Sequence, residues 1–121
     1  MGEHPRFENL VAEAKQHIQE ISPQDAAAAL QRGDALVIDV RDPDEWQESH
    51  IPGAKSFSRG TVELEIEEAA PDPSTLIITH CGGGGRSALA AQSLQRMGYQ
   101  NVKSMAGGLK AWKAAGLPTT K

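Results

Sequence analysis

The residues best suited to chemistry lie in the stretch CGGGGRS, from Cys81 to Ser87. Cys81 is the only cysteine of the 121-residue chain, and four consecutive glycines and then Arg86 follow it. A thiolate is a nucleophile, and both a neighbouring cation and the free N–H groups of a helix N-terminus stabilise it. The stretch therefore predicts a nucleophilic cysteine in a loop that holds an anion.

The glycines explain how such a loop would work. Glycine adopts positive φ easily, so the backbone can curl around the sulfur and direct several N–H groups toward it. We expect Cys81 to be catalytic and its anionic forms to be bound by the amides of Gly82, Gly83, Gly84, Gly85 and Arg86. The alternative is a flexible connection beside a buried, inert cysteine.

Other loop chemistries fit the spacing poorly. A Walker A loop requires Gly and Lys where this chain has His80 and Arg86, and a dinucleotide fingerprint requires Gly at Ser87. A single cysteine excludes a dithiol pair and an internal disulfide. The histidines lack a metal-ligand spacing with Cys81, so we expect no metal and no cofactor.

A cysteine-dependent phosphatase or arsenate reductase remains a less favoured alternative. Four residues separate Cys81 from Arg86, one fewer than in the phosphatase loop. The tighter loop is better suited to surrounding one extra sulfur atom on Cys81 than to holding a tetrahedral phosphate.

The elements that position this loop are readable from periodicity. Apolar runs without alternation at 35–40 and 75–79 indicate strands buried on both faces, with shorter strands at 54–57 and 101–105. Helices are predicted from Ser22 to Gly33, over 86–97, and from Gly107 to Gly116. This alternation predicts an α/β domain whose central parallel sheet carries helices on both faces.

One domain is expected over residues 1–121. Apolar residues recur at helical spacing from Phe7 to Ile21 and predict an N-terminal helix packed on the domain, with a partner-binding arm as the alternative. We therefore divide the chain into a helical extension, 1–20, and a core, 21–118.

Composition limits the partners and the compartment. The net charge of −4 without a basic block argues against nucleic acid, and no stretch approaches the about 20 apolar residues of a membrane span. No secretory signal is visible, and a lone thiol suits a reducing compartment. The chain is expected to be cytoplasmic, without a membrane partner.

Three segments resemble the rhodanese (thiosulfate sulfurtransferase) homology domain in its small single-domain form. They are VIDVRDPDEWQESHIPGA, CGGGGRS and GYQNVKSMAGGLKAWKAAGLP, in the family's order. Ser49 stands where the family usually has Gly. The resemblance implies a three-layer rhodanese-like fold with about five parallel strands.

The resemblance also implies a two-step sulfurtransferase reaction. Cys81 takes the outer sulfur of thiosulfate or a similar small anionic donor, and cyanide, a thiol or an acceptor protein then removes it. Arg86 either binds the donor or forms an ion pair with an acid such as Asp39, and Arg59 either binds the donor or is structural. The main alternative is a persulfide carrier that delivers sulfur to a partner protein.

Overall fold

Five parallel strands form the central sheet of the computed structural model, which describes residues 3–121. The strands are β1 (Gln19–Ile21), β2 (Ala35–Asp39), β3 (Lys55–Ser56), β4 (Leu76–His80) and β5 (Val102–Met105). Their order is β1-β5-β4-β2-β3, so β4 lies in the middle and pairs with β2 and β5. The expected parallel sheet of about five strands is confirmed.

Six helices accompany the sheet within residues 3–121. They are α1 (Pro5–Lys15), α2 (Pro23–Arg32), α3 (Pro43–Glu48), α4 (Val62–Ala69), α5 (Gly85–Arg96) and α6 (Gly108–Ala114). The Asp25 N–H donates to the Ser22 Oγ at 3.0 Å, which caps α2 as the sequence predicts.

Side-chain alternation along the central strands produces two cores. Ile38 and Ile77 pack in one cluster with residues of α4 and α5, including Ile66 and Leu94. Their neighbours in sequence, Val37 and Ile78, pack in the other cluster with residues of α2 and α6. Burial on both faces is what the apolar runs predict.

The N-terminal segment differs from the prediction. The helix expected from Phe7 to Ile21 ends at Lys15, and Gln19–Ile21 instead pairs with β5 as an edge strand. Pairing with β5 overrides the helical spacing of these residues. The predicted boundary between the helical extension, 1–20, and the core, 21–118, stays a prediction, and β1 spans it. Residues 1–2 of the extension lie outside the described residues.

Two short helices, α3 and α4, follow β2 and β3 without having been predicted. In α3 the Glu45 carboxylate accepts a hydrogen bond from the Asp42 N–H at 3.1 Å, so a side chain of the first turn caps the helix. Helix α3 bonds to the segment that follows β4 through Glu45, and α4 packs on one face of the sheet through Val62 and Ile66. Across residues 3–121, no helix has the length and apolar character needed to cross a membrane.

Candidate active site

Cys81 directly follows β4, at the carboxyl edge of the sheet where ligands bind in open α/β folds. The loop after it is short, because α5 begins at Gly85. Cys81 is 1% exposed and belongs to the core cluster that contains Val40 and Val62. The structure thus places the thiol at the base of the loop.

Two backbone amides converge on the Cys81 sulfur. The Gly84 N–H donates to Sγ at 3.1 Å, and the Ser87 N–H donates to it at 3.4 Å. Both amides belong to the start of α5, where N–H groups have no partner within the helix. The helix dipole adds partial positive charge at the same place, so the arrangement stabilises a negative charge on sulfur.

Ser87 is a site residue that the sequence reasoning missed. Its Oγ lies 3.6 Å from Sγ, 3.3 Å from the Gly84 carbonyl oxygen and 2.9 Å from the Ser104 Oγ. As the third residue of α5 it carries one of the unpaired N–H groups of the first turn, which was the available signal. Ser87 thus joins Sγ to the end of β5.

The N-terminus of α6 binds the carbonyl oxygens at the start of the loop. The Leu109 N–H donates to the Cys81 carbonyl oxygen at 2.7 Å, and the Lys110 N–H donates to the Gly82 carbonyl oxygen at 3.1 Å. A Cβ on Gly108 would fall on the Cys81 carbonyl oxygen and within 2.7 Å of Gly82. This close approach requires glycine, and it turns the loop carbonyls toward α6 and away from the sulfur.

Gly84 has the strained backbone that the loop needs. Its φ is +105°, in a region that L side chains rarely adopt, and a Cβ there would lie 3.3 Å from the Gly107 nitrogen. Gly83 has neither a positive φ nor any atom within 4 Å of a Cβ position. The four glycines are therefore unequal: Gly84 supplies the amide and the turn, whereas Gly83 is open to a side chain.

Arg86 pairs with an acid other than the one the sequence suggested. Its two terminal nitrogens donate to the two carboxylate oxygens of Glu45 at 2.9 and 3.1 Å. Asp39, the acid named from sequence, pairs with Arg41 instead. The Arg86 hydrogen bonds lower the pKa of Glu45 from 4.5 to about 2, and Glu45 in turn raises the pKa of Arg86.

Arg59 also meets a carboxylate. Its guanidinium donates to Glu63 at 2.9 Å and to the Ser93 Oγ at 3.2 Å, which ties the start of α4 to α5. Both arginines proposed to bind a donor are thus engaged with acids of the chain. Their role toward a donor stays a prediction.

A buried ion pair supports the neighbouring turn. Arg41 donates to both Asp39 oxygens, and its NH2 group also donates to the Ser49 carbonyl oxygen at 2.8 Å. His80 lies beside this pair with its Nε2 unpartnered and 3.7 Å from Asp39. Burial lowers the pKa of His80, which favours the neutral imidazole. This agrees with a packing role for His80.

Helix α1 covers the outer side of the loop. A Cβ on Gly85 would lie 3.1 Å from the ring of Phe7, and Val11 and Ala14 pack against Ala88 of α5. A cleft of about 310 Å³ is lined by residues of α1 together with Gly83 and Gly85. The N-terminal helix therefore packs on the domain, next to the residues that bind the sulfur.

Comparison with known proteins places these features in one family. The rhodanese-like domain family matches residues 22–115. The chain belongs to the rhodanese-like domain family. A relative from Pseudoalteromonas translucida, named thiosulfate sulfurtransferase GlpE, is 36% identical over 86 residues, which cover 71% of this chain and 80% of the relative. The chain is an enzyme of the rhodanese type.

Two solved structures share the fold over almost the whole chain. A Rhodopseudomonas palustris protein, described as of unknown function and a possible tyrosine phosphatase, matches with a TM-score of 0.83 and 35% identity, covering 94% of this chain and 93% of that one. The polysulfide-sulfur transferase homodimer of Wolinella succinogenes matches with a TM-score of 0.81 and 31% identity, covering 96% and 88%. Both matches extend beyond residues 22–115 of the rhodanese-like domain.

Replacing Gly84 should damage the sulfur site, whereas replacing Gly83 should not. Gly84→Ala forces a side chain into a positive-φ position and is expected to lower the free energy of unfolding by about 1 kcal/mol or more. It should also slow alkylation of Cys81 by iodoacetamide, because the amide that binds Sγ shifts. Gly83→Ala is the matched control. Urea unfolding and alkylation rates measure both effects, and equal behaviour of the two variants would contradict the unequal roles of these glycines.

Acid should weaken the fold partly through Glu45. Its folded-state pKa lies below the unfolded value, so its contribution to stability is present above pH 4.5 and is lost as the pH falls to about 2. Glu45→Gln should therefore lose less free energy of unfolding between pH 7 and pH 3 than the wild type. Because the Arg86 and Glu45 side chains are 34% and 35% exposed, the difference should be modest.

The control for this measurement is Glu48→Gln. Glu48 is an exposed acid of the same helix, and among residues 3–121 it has no ion pair. A pH dependence of Glu45→Gln identical to that of the wild type would show that the pair with Arg86 does not stabilise the fold.

Proposed function

We propose that this enzyme moves a sulfane sulfur from thiosulfate, or a similar donor, to a thiophilic acceptor through a persulfide on Cys81. The observation that supports this most directly is the pair of N–H groups from Gly84 and Ser87 aimed at Sγ. Such N–H groups stabilise negative charge on sulfur, both on the attacking Cys81 and on the outer sulfur of a persulfide.

In the first step the Cys81 thiolate attacks the outer sulfur of thiosulfate. A new S–S bond forms to Sγ, the bond between the outer sulfur and the sulfite group breaks, and sulfite leaves with that electron pair. The attack transfers no proton, so it needs no general base. This is consistent with the packing role of His80, which is buried with Asp39 and Arg41.

In the second step the acceptor removes the outer sulfur. Cyanide or a thiolate attacks it, and Cys81 leaves as a thiolate with the electron pair of the S–S bond. One cysteine is enough for this cycle, and the chain has one. The covalent intermediate predicts ping-pong kinetics.

The loop amides, Arg86 and Arg59 have different roles in this proposal. The Gly84 and Ser87 N–H groups, which contact Sγ, bind the persulfide, and the amides of Gly82, Gly83, Gly85 and Arg86 belong to the same loop without contacting Sγ. In this proposal Arg86, whose guanidinium lies beside Gly82, leaves Glu45 to bind the anionic end of a donor, whereas Arg59 holds α4 against α5 through Glu63 and Ser93. Because Cys81 is 1% exposed, a donor reaches Sγ only when side chains around the loop move.

A persulfide carrier is the second candidate. The engagement of both arginines with carboxylates favours it, because neither guanidinium is then free to capture small anionic donors from solution. In that function the sulfur passes to an acceptor protein.

A lone thiol and the lack of a basic block agree with a cytoplasmic protein that uses neither nucleic acid nor membrane.

The test of the proposal is intact mass before and after incubation with thiosulfate. We expect the mass of one added sulfur atom, its removal by cyanide, and release of thiocyanate. Cys81→Ser should gain no mass while its circular dichroism stays that of the wild type.

Each outcome separates the candidates. Thiocyanate release on repeated turnover indicates the sulfurtransferase, and a stable persulfide without turnover indicates the carrier. If no sulfur is added to Cys81, or if Cys81→Ser transfers sulfur normally, both are excluded. Aryl phosphate hydrolysis that disappears with Cys81→Ser would favour the phosphatase instead.

A further inference from the structure

Glu45 binds the cationic group that an anionic donor would need, the guanidinium of Arg86. Arg86 is the cation within the loop, and it uses both terminal nitrogens on both Glu45 oxygens, at 2.9 and 3.1 Å. Paired, parallel N–H···O bonds of this kind are the strong form of guanidinium recognition. Both terminal nitrogens of the Arg86 guanidinium are therefore already bound to a carboxylate of the protein.

The guanidinium lies against the loop. A Cβ on Gly82 would be 3.5 Å from its NH2 group, and the next residue, Ser87, donates its N–H to Sγ. An anion that approaches the loop past Gly82 thus passes the Arg86 guanidinium.

Glu45 is held in place rather than free to swing away. It lies in the first turn of α3, where its Oε1 accepts both the Arg86 nitrogen and the N–H of Asp42. The side chains of the pair remain about one-third exposed, at 34% for Arg86 and 35% for Glu45, so solvent and small ions reach the contact.

We propose that Glu45 determines donor specificity by competing with anionic donors for Arg86. The two oxygens of a carboxylate and two oxygens of a sulfonate-type group present the same pair of acceptors to the guanidinium fork. An anionic donor must displace Glu45 and approach against its negative charge, whereas an uncharged reagent need do neither. Glu45 thus lowers the reactivity of Cys81 toward anions relative to neutral molecules of the same shape.

This inference rests on the proposed function, in which an anionic donor meets Cys81, but its test does not require sulfur transfer. Iodoacetate and iodoacetamide differ by one charge and react with the thiolate in the same way: an S–C bond forms and iodide leaves. The measured quantity is the ratio of their second-order rate constants at Cys81, iodoacetate over iodoacetamide, at low ionic strength.

Glu45→Gln should raise this ratio by about two- to fivefold, the range expected for a partly exposed ion pair. Glutamine keeps an oxygen for the Asp42 N–H, so α3 should stay capped. Glu48→Gln removes the same charge about one turn away without contacting Arg86, and it should change the ratio by less. In an Arg86→Gln background, Glu45→Gln should also have a smaller effect, because the contested cation is gone.

An unchanged or lower ratio in Glu45→Gln overturns the proposal, and so does an equal rise in Glu48→Gln. Failure of both reagents to alkylate native Cys81 overturns it as well, because small molecules must reach the sulfur. Thiosulfate persulfidation provides the second readout. If Cys81 gains sulfur but the alkylation ratio does not respond to Glu45, the specificity proposal fails and the proposed function stands. If the ratio responds to Glu45 but thiosulfate adds no sulfur to Cys81, the proposed function fails and the effect of Glu45 on anionic reagents stands.

Discussion

The convergence of the first amides of α5 on the Cys81 sulfur is the interaction around which the structure is arranged. The Gly84 and Ser87 N–H groups can face Sγ only because the loop carbonyls are taken up on the other side by the N–H groups of Leu109 and Lys110. Two helix N-termini, of α5 and α6, therefore meet at one short loop. Gly108 makes that meeting possible, because a side chain there would collide with the loop backbone.

The second constraint is charge balance around this loop. An anionic sulfur needs positive potential, and the chain supplies it mainly through backbone dipoles, since Arg86, Arg59 and Arg41 each contact a carboxylate. Backbone amides are fixed by the fold and require no reorganisation when charge develops. The guanidinium of Arg86 is paired with Glu45 on one side of the loop, and Phe7 of α1 lies against Gly85 on another.

Much of this could be predicted from residue order. The cysteine, its glycines and the helix after them indicate an anion-binding loop, and the apolar runs indicate a doubly covered parallel sheet. The fold prediction is confirmed. The weaker predictions concern segments in which partners distant in sequence decide: Gln19–Ile21 becomes a strand because β5 offers an edge.

The sequence by itself determined which nucleophile is available, because only one residue of the chain is a thiol and four glycines follow it. Tertiary structure alone decided how those atoms are used. It selected Gly84 and Ser87 among the loop amides, and it gave Arg86 to Glu45, a residue far from it in sequence. Residue spacing specifies local geometry, whereas the partner of a long side chain depends on how distant elements pack.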